Sequence, residues 1–162
     1  MNEIFTRTST REFTDQKVSN DKIELLLRAG MQAPSGRNSQ PWEFIVVDDK
    51  EIMMKVAECA KPYVACRTAS HLIIVMCNND SNLWTHDMGA CCENILLEAE
   101  SLGLGAVWQA VEPNEQRIAS IREIFELPDN IKPFSVIALG YPVNKREAVS
   151  RYNPERVHWN HF

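Results

Sequence analysis

Thr85-His86-Asp87-Met88-Gly89-Ala90-Cys91-Cys92-Glu93-Asn94-Ile95-Leu96-Leu97-Glu98-Ala99-Glu100-Ser101-Leu102-Gly103-Leu104-Gly105-Ala106-Val107-Trp108-Gln109-Ala110-Val111 decides how this chain is organised. Met88, Cys91, Cys92, Ile95, Leu96, Ala99 and Leu102 recur at helical spacing and form one apolar stripe. Ala90 and Leu97 make the other side partly apolar as well, and a helix of that kind belongs inside a domain rather than on its surface. Gly103-Leu104-Gly105 ends the helix, since glycine takes the positive φ that a helix C-terminus asks for. Ala106–Val111 then reads as a strand.

The same periodicities organise the flanks. Upstream, Ile23, Leu26, Leu27 and Gly30 give an amphipathic helix over Asp21–Gly30, with Ser19 or Asn20 as its N-cap. It stops near Ala33-Pro34, because a proline disfavours helix at the residue before it. A polar loop from Pro34 to Pro41 leads into a strand at Glu43–Val47, and Asp49–Ala60 is a helix. Leu72–Cys77 is an unbroken apolar run, hence a strand covered on both faces. Downstream come a helix at Asn114–Phe125, a strand at Phe134–Leu139 and a non-helical tail. Helices first, then strands separated by helices, leaves α+β and α/β both open. With no linker and no repeat, residues 1–162 form one domain.

Composition removes several function classes. The 162 residues are 44% hydrophobic and 24% charged, with a net charge of −5 and acids and bases interspersed. No basic stripe is available for a nucleic-acid backbone. The N-terminus lacks the apolar core of a signal peptide, and Leu72–Cys77 is far too short to span a bilayer, so no membrane role is expected. Five cysteines, an odd number without Cys-x-x-Cys spacing, argue against a disulfide framework and a zinc site. Reduced thiols in a cytoplasmic protein are the plain reading. His71, His86, His158 and His161 show no ligand-like pairing with acids, and no metal is expected.

Four stretches carry possible chemistry. Arg7-Thr8-Ser9-Thr10-Arg11 groups two guanidiniums and three hydroxyls, which suits a phosphate; it also suits an ordinary solvated stretch. Asn38-Ser39-Gln40-Pro41-Trp42 offers amides able to donate and accept, as the edge of an isoalloxazine or similar heterocycle requires. A polar turn before a strand is the alternative. In Gly103–Val111, small residues would let backbone N–H groups approach a planar ligand, or simply cap a helix and start a buried strand. Finally, the tail Arg151-Tyr152-Asn153-Pro154-Glu155-Arg156-Val157-His158-Trp159-Asn160-His161-Phe162 is too aromatic for a disordered end. It docks on its own domain or on a partner.

In this order and spacing, the stretches resemble the nitroreductase family of FMN-dependent oxidoreductases over nearly the whole chain. The family's Arg-x-Ser-x-Arg opening stands as Arg7-Thr8-Ser9-Thr10-Arg11. Its Pro-Ser-x-x-Asn-x-Gln-Pro-Trp loop stands as Pro34-Ser35-Gly36-Arg37-Asn38-Ser39-Gln40-Pro41-Trp42. The central helix is similar to the pattern Asp-x-x-Ala-x-x-x-Asn-x-Leu-Leu, filled by Asp87, Ala90, Asn94, Leu96 and Leu97. The ending resembles that of the family's short members.

The resemblance implies an α+β, nitroreductase-like fold: a central, mostly antiparallel sheet flanked by helices, with C-terminal segments exchanged across a homodimer. It implies FMN, with NADH or NADPH as hydride donor and a small oxidised acceptor such as a nitroaromatic or a quinone. By motif position, Arg7, Thr8, Ser9, Arg11 and Arg151 would hold the phosphate and ribityl chain, and Asn38 the ring edge. The backbone of Gln109, Ala110 and Val111 would face N5 and O4, while Pro34, Ser35 and Gly36 would reach the opposite subunit's flavin. Ala110 stands where glycine is frequent, and Gly36 where serine or alanine is. No protein side chain is assigned as a catalytic acid, base or nucleophile, because the flavin supplies the chemistry. Donor and acceptor would share one slot in a ping-pong cycle. A flavin-binding storage or sensing protein without turnover would keep the same contacts. Cys91-Cys92, vicinal on a helix, point to different faces and read as packing rather than as a redox pair.

Overall fold

The structure is a computed structural model and describes residues 2–59, 63–78, 82–144 and 147–162. Its helices are α1 (Glu3–Thr6), α2 (Asn20–Met31), α3 (Lys50–Cys59), α4 (Trp84–Ser101) and α5 (Glu115–Ile124). Its strands are β1 (Trp42–Val47), β2 (His71–Cys77), β3 (Gly105–Ala110) and β4 (Lys132–Gly140). Short 3-10 turns lie at Gly36–Asn38, Val64–Arg67 and Pro154–Arg156. Every long element expected from periodicity is present, with ends moved by a residue or two. Ala60, the expected last residue of α3, lies outside the described residues. The one-turn helix α1 had no periodic signal to announce it.

Local chemistry accounts for the boundaries. Asp49 caps α3 by accepting from the N–H groups of Glu51 (2.8 Å) and Ile52 (3.0 Å), and Asn114 caps α5 by accepting from Arg117 N (3.0 Å). Ser19 does occupy the N-cap position of α2, but its hydroxyl makes no cap bond. At the end of α4, Gly103 takes φ 71°. Leu104 N then donates to Ala99 O (2.8 Å) and Gly103 N to Glu100 O (3.1 Å). That paired closure is the Schellman arrangement, and it requires the left-handed residue.

The four strands run in the order β1-β2-β4-β3, each pair antiparallel. Both faces of the sheet are covered, which is why β2 is buried at every position. Ile73, Val75, Ile137 and Leu139 face α2 and α4, together with Cys91, Cys92 and Ile95. Leu72, Ile74, Val136 and Ala138 face α3 and α5, with Met53, Val56 and Ile121. Alternate residues of one strand thus belong to opposite cores, and an uninterrupted apolar run is the only sequence that serves both. Asn94 fastens α4 to α2 through Nδ2 to Ala29 O (3.0 Å). Between those helices, a Cβ at Gly30 would lie 3.0 Å from Ile95 and 3.1 Å from Cys91 Sγ.

The N-terminal segment is drawn onto the open edge of β3. Ser9 pairs with Ala106 in parallel, and Thr10 N donates to Ala106 O (3.0 Å). A Cβ at Gly105 would meet the Thr10 side chain at 2.6–2.7 Å. So the close approach that glycine permits there is made by the chain itself.

Candidate functional site

Two adjoining cavities open along that N-terminal segment. The first, about 620 Å³, is walled by Arg7, Thr8, Ser9 and Arg11 on one side and by Glu147–Tyr152, including Arg151, on the other. All five residues expected around a phosphate therefore line one groove, although they come from opposite ends of the chain. Arg7 is the informative member. Its Nε lies 3.5 Å from Glu93 Oε1 on α4, while its Nη1 is buried without a hydrogen-bond partner. A buried guanidinium donor left without an acceptor is costly, and the ion pair with Glu93 offsets part of that cost. Arg11 is exposed and makes one long contact, Nη1 to Ser9 O at 3.4 Å. Arg151 has no partner among the described residues.

The second cavity, about 520 Å³, shares Ser9 and Arg11 with the first and adds Arg67, Thr68 and Asn144. Arg67 lies in the turn Val64–Arg67 before β2 and has no partner among the described residues. Sequence reading missed it, because a lone arginine in a turn carries no pattern.

Gln109, Ala110 and Val111 do not present equivalent backbones. Val111 N donates to Phe134 O (3.0 Å), across the sheet. In an extended strand the N–H and C=O of one residue point the same way, and neighbours alternate. Since Ala106 O points to the outer edge, toward Thr10 N, so do the N–H groups of Trp108 and Ala110. Gln109 turns its side chain into the core, where Nε2 reaches Cys66 Sγ (3.2 Å). Ala110 is the exposed member of the three.

Pro34, Ser35, Gly36 and Asn38 line neither cavity. Their loop carries three non-glycine residues in the left-handed region: Arg37 (φ 56°), Asn38 (φ 55°) and Gln40 (φ 48°). Each costs roughly 1–2 kcal/mol, least for Asn. The loop keeps this shape through Gln40 N to Ser35 Oγ (3.0 Å), Gln40 Nε2 to Asn38 Oδ1 (3.2 Å) and Gly36 N to Asp87 Oδ1 (2.9 Å). Asp87 explains the acidic position in the helix pattern: it is buried in α4 and pins the loop, and its Oδ2 has no partner. A Cβ at Gly36 would come within 2.9 Å of the Leu83 side chain.

Cys66, Cys91 and Cys92 are poor nucleophiles. Burial pushes the Cys91 thiol up to about 12 and the Cys66 thiol up to about 11. Cys92 is likewise raised by burial, and its Sγ lies 3.1 Å from Ser135 Oγ on β4. Cys91 faces Gly30 on α2 instead, so the vicinal pair does point two ways. Among the described residues, no group of three or more His, Cys, Asp or Glu could hold a metal, and no helix is long and apolar enough to cross a membrane.

The nitroreductase family model matches residues 4–65 and 79–141, and the chain belongs to that family. A protein of Archaeoglobus fulgidus named "Putative NADH dehydrogenase/NAD(P)H nitroreductase" is 42% identical over 163 aligned residues, covering 96% of this chain and 94% of that one. A Bacteroides thetaiotaomicron crystal structure of the same name is 41% identical with a TM-score of 0.97, covering 99% of this chain and 96% of that one. An FMN-dependent nitroreductase from Clostridium difficile is 27% identical with a TM-score of 0.94, covering 99% of both chains. The nitroreductase-like α+β fold is therefore the one observed.

Proposed function

We propose that this protein binds FMN and acts as an oxidoreductase, using NADH or NADPH to reduce a small oxidised acceptor such as a nitroaromatic or a quinone. The observation that carries this reading is the first groove, where Arg7, Thr8, Ser9, Arg11 and Arg151 converge from opposite ends of the chain. A phosphate fits that donor set, since guanidiniums bind it bidentately and short hydroxyls fill the remaining lone pairs. The adjoining cavity is contiguous through Ser9 and Arg11, and Arg67 would add a cation beside the ring. Ala110, whose N–H points to the outer edge of β3, would face N5, with Gln109 and Val111 holding it on either side.

Bound FMN would supply the two-electron chemistry at N5. The chain's own residues would bind it through the groove and keep the β3 edge fixed, and Asn38, which lines neither cavity, would hold the ring edge only if its loop meets the ring. No side chain is required as nucleophile. Pro34, Ser35 and Gly36, remote from the groove of their own chain, would meet the flavin of a second subunit. On this reading the sites would lie at a homodimer interface with exchanged C-terminal segments. Five cysteines without a disulfide suit a reducing, cytoplasmic setting.

Purified protein should be yellow, and NADH or NADPH should bleach it under anaerobic conditions within the time of a turnover. Double-reciprocal plots at several acceptor concentrations should be parallel, as for one slot serving both substrates in turn. A yellow protein that neither nucleotide bleaches would instead be a storage or sensing protein. Intersecting plots would defeat the single slot.

A further inference from the structure

The end of β3 is held more firmly than an exposed strand end requires. Ala110 O accepts from the Tyr63 hydroxyl and from Arg117 Nη1 at 2.9 Å. The Arg117 guanidinium also lies 5.2 Å from the centroid of the Tyr63 ring. The same peptide unit donates through Val111 N to Phe134 O, and the neighbouring Gln109 is tied to Cys66. One peptide is thus fixed from three sides, by the segment before β2, by α5 and by β4. A carbonyl at a solvated edge could have been satisfied by water.

We propose that Tyr63 and Arg117 are positioning residues that clamp the Ala110 edge and hold a fixed positive charge near the flavin ring that this edge would meet, setting the ease of FMN reduction rather than its binding. The inference rests on the flavin reading above. Its physical basis is the difference between donors fixed in place before reaction and donors that must reorganise during it. Within one residue of an extended strand, the amide nitrogen and carbonyl oxygen share an edge. A guanidinium bonded to Ala110 O therefore stands close to whatever meets Ala110 N–H. A cation there would act across the ring and favour the negative charge that reduction leaves on its N1–C2–O2 side. Tyr63 remains a donor throughout the neutral range, because burial pushes its phenol up to about 12. Neither residue lines the two cavities, so neither is needed to hold the phosphate.

The test uses the full-length protein loaded with FMN, comparing Arg117→Met, Arg117→Lys and Tyr63→Phe with the wild type. FMN affinity should stay within about twofold, while the rate of anaerobic reduction by NAD(P)H falls about tenfold in Arg117→Met. Arg117→Lys keeps the charge and should recover most of the rate, and Tyr63→Phe should lose about threefold. The flavin midpoint potential should move to more negative values in the same order. In the apoprotein, amide exchange at Val111 should quicken in Arg117→Met and Tyr63→Phe, a readout independent of flavin. Wild-type potential and rate in Arg117→Met would overturn the inference, as would weakened FMN binding at an unchanged potential. If Arg117→Met does not fold, Arg117→Lys and Tyr63→Phe carry the same comparison. A wild-type protein that binds no FMN defeats the flavin reading itself; one that binds and bleaches while its variants behave alike defeats only the clamp.

Discussion

The sheet body and the C-terminal tail obey opposite rules. In the body, Ile73, Ile137 and Leu139 are fully buried between helices of the same chain. In the tail, Trp159 is 85% exposed, Phe162 107% and Tyr152 76%, and only Asn153 among residues 147–162 is even half-buried. A large apolar side chain gains about 1.5–3 kcal/mol from full burial. The body realises that gain within one chain, whereas the tail can realise it only against another surface. The two regions meet at the Arg151 side of the first groove.

Truncation after Asn153 strains this contrast most. It removes Val157, Trp159 and Phe162 but keeps Arg151. We expect loss of the dimer and of bound flavin together, read by sedimentation and flavin absorbance, while the unfolding midpoint of the apoprotein body moves by only a few degrees. A truncated chain that stays dimeric and yellow would show that the tail stabilises nothing; one that unfolds would show that body and tail are not separable.

A smaller effect is expected at the boundary itself. If the groove holds the FMN phosphate, Arg151→Ala and Arg11→Ala should each remove a charge-assisted contact worth roughly 1.5–3 kcal/mol and weaken FMN about tenfold or more with little loss of fold. Fluorescence titration with FMN measures this directly. Affinity equal to that of the wild type in both variants would remove the phosphate assignment.

The smallest effect belongs to the body alone. His71 is buried, with Nδ1 2.9 Å from Ser70 Oγ, which in turn accepts from Val18 N (2.9 Å). Burial lowers the His71 pKa below its ordinary 6.5, so the unfolded chain binds the proton more readily than the folded one. Stability is then fully present above pH 6.5 and declines as the pH falls toward the folded value. Denaturant midpoints across that window should show the slope, and His71→Gln should flatten it. The truncated chain should keep the slope, if the body is independent of the tail.

Much of the candidate site was proposed before any fold was known, and the groove lining brings its phosphate residues together. The arginine cluster was visible because its members are neighbours in sequence, and Arg151 because the ending resembles that of a family. Arg67, Tyr63 and Arg117 were not, since each is a single residue in a turn or on a half-exposed helix. Asp87 was visible as a pattern but not as a role; its partner Gly36 N lies 51 residues away. The left-handed residues Arg37 and Gln40 were equally silent, because neither type signals positive φ.

Sequence alone determined which segments become helix or strand, and which faces they bury. Those properties follow from a match between side-chain spacing and backbone period, and both are local. The stripe of α4, the unbroken run of β2 and the left-handed Gly103 were all readable on that ground. Only the tertiary structure decided what meets what. The order β1-β2-β4-β3 leaves one edge of β3 open, and that edge receives Ser9 from the N-terminus and Tyr63 and Arg117 from elsewhere. Such contacts join residues far apart in the chain, and they form because buried or edge-facing peptide groups must find partners wherever the packed layers happen to bring them.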